Sequence, residues 1–532
     1  MARWALPPED RHQMVIFPRR LDDVVSVDHP VRLLDEILGR ITWEKWDAHY
    51  HTHLGQPAIP PRVMAGVLLH GLLTGVRSSR RLEEALGERL DFRWLAEGRT
   101  IDHTTLSEFR RGFAAELKDL FVQVGLIARE MELLPLTRLA FDGTRIKANN
   151  RRTGTRTPAE LREMRDELSR KYAELEQQAA AEDARQQHMF GEEAERKLPK
   201  ELADVERRRQ KIDRALAELK RAEDAGEAIP NRLPITDPES RVTPNKEGGF
   251  APNFTPLATV DAETGFIVAV DVIAMTNEEQ YLLAAVDDVQ AQFGLKQAPP
   301  EMLADGLLST GPILEGLEER GVTMFSPIPN SQHNPALRDD PRQPVPPEEW
   351  AKLPTITVKP RGSDKTQPQL DKSAFIYDAE QNCYWCPQGQ PMPYSRTTSQ
   401  VQNDVRIQRA RYQGDATVCA ECPLKGLCMQ PGAKAREVSR DQFEEHRERL
   451  AERMATPEGK ETYKKRRHPG ERPFAVIKEQ FGVRRFLLRG IDQVRTEWRW
   501  LATAFNLKLL LRHWRVRSGA APPAAVPVGV GL

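Results

Sequence analysis

Leu139-Ala-Phe-Asp-Gly-Thr-Arg-Ile-Lys-Ala148 is a short, mostly apolar run that interrupts a helical pattern, and the rest of the chain is read outward from it. Such a run reads as a buried strand carrying Asp142, with a glycine beside the acid where the strand opens into a turn. Downstream, Leu257-Ala-Thr-Val-Asp-Ala-Glu-Thr-Gly-Phe-Ile-Val-Ala-Val-Asp-Val-Ile-Ala274 is two β-rich runs around a Glu263-Thr-Gly centre, which predicts a hairpin. Asn277 to Gln292 has the pattern of an amphipathic helix. It is followed by Glu301-Met-Leu-Ala-Asp-Gly-Leu307, a second short strand ending in Asp305. Strand, hairpin, helix, strand is an α/β order with a mixed sheet.

Residues 1–136, on the N-terminal side, read as a helical domain. Pro61 to Gly75 is apolar on most faces, and Ser78 and Asp102 stand as N-caps before helical patterns, so a bundle with helix-turn-helix-like pieces is expected to bind DNA. The core is expected to begin in residues 137–343, with charged helix formers over 157–228 inserted as a helical hairpin or coiled coil, either a solvated spacer or a DNA-contacting arm. Residues 344–436 read as a Pro-rich linker followed by the cysteine region. Residues 437–517 are expected to complete the core, and 518–532 to be a disordered tail.

A chain of 532 residues suits about three domains. Lys+Arg and Asp+Glu are both 78, so net charge is zero, yet Thr462 to Arg517 holds 15 Lys+Arg against 4 Asp+Glu, an excess of +11. That segment is the candidate for contact with a polyanion. No run approaches the roughly 18 apolar residues of a membrane span, and the N-terminus lacks a signal-peptide core, so a cytoplasmic, nucleoid-associated protein is expected.

Asp142 and Asp305 are the candidate metal-binding pair. Two hard divalent cations flanking a scissile phosphate, roughly 4 Å apart, need carboxylates converging from separate elements. Each aspartate ends an apolar run and is followed by glycine. Taken singly, either is an ordinary turn aspartate. A third acid is available in Tyr463-Lys-Lys-Arg-Arg-His-Pro-Gly-Glu-Arg-Pro-Phe-Ala-Val-Ile-Lys478. There Glu471 and Lys478, seven residues apart, share one face of a helix with Phe474 beneath, provided Pro473 lies near the helix start. Glu497 in the C-terminal helix is the rival, and its structural role would be an ion pair with an arginine.

Phe141-Asp-Gly-Thr-Arg-Ile-Lys-Ala-Asn, Ile235-Thr-Asp-Pro-Glu-Ser-Arg, Ala304-Asp-Gly, Glu471-Arg-Pro-Phe-Ala-Val-Ile-Lys and Arg485-Phe-Leu-Leu-Arg-Gly-Ile-Asp-Gln-Val-Arg-Thr-Glu-Trp, in this order, resemble a bacterial insertion-sequence DDE transposase. The likeness is to the subgroup with an InsH-like N-terminal helical domain, and Pro60 to Phe109 shares it. The resemblance implies a ribonuclease-H-like catalytic core in which Asp142, Asp305 and Glu471 bind two Mg²⁺ or Mn²⁺ ions. Related enzymes carry a tyrosine, arginine, glutamate, lysine signature. Glu471 and Lys478 match its last interval and Arg467 lies four before the glutamate, while Tyr463 is one residue out of register. Lys478, Arg467, Arg485 and Arg489 are then expected on DNA phosphates. The implied activity is cleavage at terminal inverted repeats and strand transfer into target double-stranded DNA, by a homodimer in the synaptic complex. A decayed, purely DNA-binding derivative or a nuclease without strand transfer are the alternatives.

All five cysteines lie between Cys383 and Cys428. Cys383-Tyr-Trp-Cys386 and Cys419-Ala-Glu-Cys422 are two CxxC knuckles, with Cys428 six residues later as a substitute for one of the four or a spare, a spacing that predicts a structural Zn²⁺ in a zinc-ribbon-like insertion. Reduced thiols without metal are the alternative. Tyr384, Trp385 and Tyr412 are candidates for base stacking or for buried packing.

Overall fold

The computed structural model describes residues 20–50, 57–151, 154–190, 200–227, 229–245, 248–275, 277–327, 340–359, 366–402 and 405–517. The expected tail at 518–532 lies outside the described residues.

The run around Asp142 forms β1 (Arg138–Gly143), with Leu139, Ala140 and Phe141 buried. Antiparallel to it runs β2 (Phe250–Asp261), with Asp142 opposite Ala258. The predicted hairpin joins β2 to β3 (Ile267–Ile273). Asp261 holds its turn by accepting from the backbone N–H groups of Glu263 and Thr264, and Gly265 supplies the left-handed residue at φ +81°. On the other side of β1, β4 (Glu301–Leu303) runs parallel to it and β5 (Thr323–Phe325) parallel to β4. The order across the sheet is β3-β2-β1-β4-β5, with Ile146–Lys147 and Arg241–Pro244 pairing along β2. Pro252 to Asp261 are all buried, so β2 is covered on both faces.

Helices supply that cover. Among the described residues the N-terminal region contributes seven α-helices, including α1 (Pro61–Leu73) and α2 (Ala114–Glu130). Asp102 caps as expected, accepting from Thr104 and Thr105, whereas Ser78 holds the N-cap position without a side-chain cap bond. The charged insertion is a hairpin of α3 (Pro158–Phe190) and α4 (Lys200–Asp224), with a small core of its own around Leu161, Ile212 and Leu219. α5 (Glu279–Gln292) connects β3 to β4, and α6 (Gly311–Glu319) connects β4 to β5. After the cysteine region come α7 (Glu444–Ala455), α8 (Pro457–Lys464), α9 (Arg467–Ala475) and the long α10 (Ile491–Arg517).

α10 ties the molecule together. Its Asn506 side chain pairs with both backbone polar groups of Ile267 on β3, and Trp498 donates to the Leu257 carbonyl on β2. Trp500 packs near Trp46 and Phe109 of the N-terminal helices, with ring centroids 6.3 Å away in each case. The N-terminal helices, the sheet and α10 therefore share one continuous hydrophobic core.

The cysteine region has its own core and an antiparallel sheet of β6 (Ile376–Asp378), β7 (Cys383–Trp385), β8 (Pro391–Gln402), β9 (Val405–Gln413) and β10 (Glu437–Asp441). Two expectations shift here. The Pro-rich stretch read as a linker carries a hairpin of Thr355–Val358 with Gln367–Leu370, because Val345, Leu353 and Leu370 are buried in this second core. The boundary expected at 436 falls later, since β10 pairs with β9.

Candidate active site

Ala140 is level with Leu303 across the parallel β1–β4 pair, so two residues further on Asp142 and Asp305 emerge side by side at the carboxyl ends of adjacent strands. Their glycines lie in close quarters, Gly306 against backbone and Gly143 against the movable end of a side chain. A Cβ on Gly143 would stand 2.5 Å from Glu278 Oε1, and one on Gly306 would stand 2.8 Å from the Pro327 carbonyl oxygen. Asp142 accepts from the Gly143 N–H, and Asp305 caps the turn Gly306–Leu308 by accepting from the Leu307 N–H. Arg466, mostly buried, bridges the pair, with its Nη2 3.3 Å from Asp142 Oδ1 and 3.9 Å from Asp305 Oδ2.

Glu278, just before α5, is a third acid at this place that sequence reasoning passed over. Burial, then the charges of Asp142 and Asp305, pushes its carboxyl up to about 7, while Arg145 and Arg466 pull the other way. The available signal was weak, because acids at a helix start ordinarily read as partners of the helix dipole.

From the segment between α8 and α10, Arg466 reaches the pair and Lys478 stands beside it. Tyr463, in the last turn of α8, is hydrogen-bonded to Arg466, and its phenol is raised mainly by burial, with Asp305 and Asp142 adding to the shift. The side chain that faces the aspartates is thus Arg466, three residues after Tyr463, while Arg467 is exposed. α9 packs on β1 and β2, with Phe474 buried and stacked on Trp498 at 5.9 Å. Glu471 is exposed on α9, and among the described contacts it makes no hydrogen bond or ion pair. α9 begins at Arg467 rather than near Glu471, so Pro473 sits inside it. It packs as part of a buried face with Pro469, Gly470 and Phe474.

Beyond Ala475 the helix widens, the Phe481 N–H reaching the Val476 carbonyl five residues back. Lys478 stands on this wide turn, and its Nζ donates to Thr144 Oγ1 at 2.6 Å, two residues along from Asp142.

Glu497 is held differently. It is buried and accepts from the backbone N–H groups of Leu487 and Leu488 and from Arg77 Nη2 at 2.9 Å. The same Arg77 donates to the Gly482 and Arg485 carbonyls. Arg485 and Arg489 are exposed on this loop, with Arg489 Nε bonded to the Asn149 carbonyl. The Ile235–Arg241 motif closes the loop's far end: Asp237 accepts from the Gly490 N–H and Glu239 from the Ile491 N–H, at the start of α10. Burial pushes Asp237 up to about 6.

In the cysteine region, Cys386, Cys419, Cys422 and Cys428 line one cavity of about 220 Å³, while Cys383 lies apart, beside Asp378 and Arg342. Burial pushes the Cys428 thiol up to about 12. Among the described residues no three His, Cys, Asp or Glu side chains stand ready to hold one metal ion as they are placed. Tyr384, Trp385 and Tyr412 are buried, Tyr384 and Tyr412 in this small core.

Residues 385–511, from the cysteine sheet through Arg466, Glu471 and Lys478 to α10, match the family described as transposase DDE domain. Residues 19–112 match a second family, transposase domain (DUF772). Both matches point to an insertion-sequence DDE transposase, over segments that together cover less than half of the chain. The β1–β5 sheet, with Asp142 and Asp305, falls between the two matched segments, so these aspartates rest on geometry rather than on the family match. No curated protein matches the chain. Among the described residues no helix is long and apolar enough to cross a membrane.

Proposed function

We propose that this transposase binds the terminal inverted repeats of its own element as a homodimer, cuts a DNA strand to leave a 3′ hydroxyl, and joins that hydroxyl to target DNA. One observation carries the reading. Asp142 and Asp305 emerge together from adjacent parallel strands, bridged by an arginine of the same segment that carries Tyr463, Glu471 and Lys478. A sheet of three antiparallel strands extended by two parallel ones, in the order β3-β2-β1-β4-β5, supports a ribonuclease-H-like core.

The donor set fits Mg²⁺ or Mn²⁺. Carboxylates are the hard ligands these ions take, and a guanidinium between them marks a place that attracts positive charge. Bound there, two ions would supply charge neutralisation on the scissile phosphate and a water of lowered pKa. Asp142, Asp305 and Glu471 would hold them. Glu471 is preferred to Glu497 because the oxygens of Glu497 are already taken by two backbone N–H groups and Arg77. Lys478, anchored beside Asp142, would bind the phosphate next to the cut, with Arg467, Arg485 and Arg489 tracking the backbone. The cysteine region would be stabilised by a structural Zn²⁺.

The test is to incubate the purified protein with DNA carrying the element's ends and Mg²⁺ or Mn²⁺, and to map nicks at nucleotide resolution. Nicks at the ends that disappear with Asp142→Asn, while end binding survives, are the expected result. Cutting by Asp142→Asn at the wild-type level would overturn the assignment, and specific binding without nicking under either metal would make the protein a DNA-binding derivative.

A further inference from the structure

The five cysteines do not divide as their spacing suggests. Cys386 follows β7 and opens a tight turn, Cys386-Pro-Gln-Gly389, in which the Gly389 N–H donates to the Cys386 carbonyl at 2.8 Å and Gly389 takes φ +65°. Cys419 lies on the short helix Ala416–Glu421, Cys422 ends it, and Cys428 ends the next, Lys425–Cys428. These four come from three separate turns of chain and line the same apolar cavity with Leu370, Met392 and Leu424. Cys383, on β7, is level with Pro393 across the sheet and does not line that cavity.

We propose that Cys386, Cys419, Cys422 and Cys428 are the complete ligand set of one structural Zn²⁺, with Cys383 outside it. Four thiolates close a tetrahedral shell and leave no open position, so the site is structural and not catalytic. The thiols ring a cavity rather than a point, and coordination draws them inward across it. Four thiolates around Zn²⁺ carry a net charge of −2, and a buried charge of that size needs a partner. Arg436 lines the same cavity, with Nη1 on the Cys428 carbonyl, Nη2 on the Leu370 carbonyl and Nε buried without a partner. The transposase DDE domain match begins at residue 385, which takes in these four cysteines and leaves Cys383 out.

The inference rests on the zinc-bearing reading of the cysteine region, and its test separates the two. Zinc is measured by elemental analysis on the full chain, purified without chelator, in the wild type, Cys383→Ser and Cys428→Ser. The expected result is roughly one zinc per chain, kept by Cys383→Ser and lost by Cys428→Ser. Because Cys428→Ser could fail to fold, the wild type and Cys383→Ser are also loaded with Co²⁺, and both should show the same thiolate-to-cobalt charge-transfer band and tetrahedral visible spectrum. Zinc in the wild type that Cys383→Ser loses would overturn the ligand set and leave the zinc reading standing. No zinc in the wild type would overturn both, and neither result depends on DNA cleavage.

Discussion

At the scale of single residues, charge decides the site. Asp142, Asp305 and Glu278 converge, and Arg466 is the cation that lies between the two aspartates. Because the folded state raises the Glu278 pKa to about 7 from an ordinary 4.5, Glu278 favours the fold while it is protonated, and that contribution is lost as pH rises from about 4.5 through about 7. Glu278→Gln should therefore raise the melting temperature of the metal-free protein near pH 8 and leave it nearly unchanged at about pH 4.5. A variant equally shifted at both would show that Glu278 is not the titrating group. Arg466→Gln removes the guanidinium between the two aspartates, so the metal-free protein should lose some stability. Mn²⁺ should then bind several-fold more tightly by paramagnetic resonance titration, having no guanidinium between them to displace. Unchanged or weaker Mn²⁺ binding would count against that role.

At the scale of elements, α9 and α10 give the two rival glutamates different work. Glu471 is exposed on a helix held to the sheet by the Phe474–Trp498 stack, whereas Glu497 on α10 ties the 485–488 loop and Arg77 to the core. Glu471→Gln should change stability by no more than about 0.5 kcal/mol and abolish nicking. Glu497→Ala strands Arg77 and two N–H groups, and should cost about 3–5 kcal/mol in chemical denaturation. If Glu471→Gln cuts DNA normally while a folded Glu497→Gln does not, the assignment reverses. Tyr463 and Arg466, three apart in the α8–α9 segment, face the same acids, while Arg467 turns to solvent.

At the scale of the whole molecule, the N-terminal helices share one body with the β1–β5 sheet. Trp46 and Phe109 pack with Trp500, Arg77 reaches Glu497, and one hydrophobic core runs from α1 through the sheet to α10. A chain beginning at residue 137 should therefore be insoluble or unfolded by circular dichroism, and limited proteolysis of the intact protein should spare the junction between α2 and β1. A soluble, cooperatively folding fragment would show the two parts to be independent. By itself the sequence determined the order of elements, the two strand-end aspartates, the β2–β3 hairpin and the helical insertion, because strand period and turn residues are local properties of the chain. Tertiary structure alone decided that Glu278 joins the acids, that Arg466 rather than Arg467 bridges them, that Glu497 is a brace, and that Cys428 rather than Cys383 shares the cavity. Each of these depends on contacts between segments tens to hundreds of residues apart, where packing and charge, not periodicity, set which side chains meet.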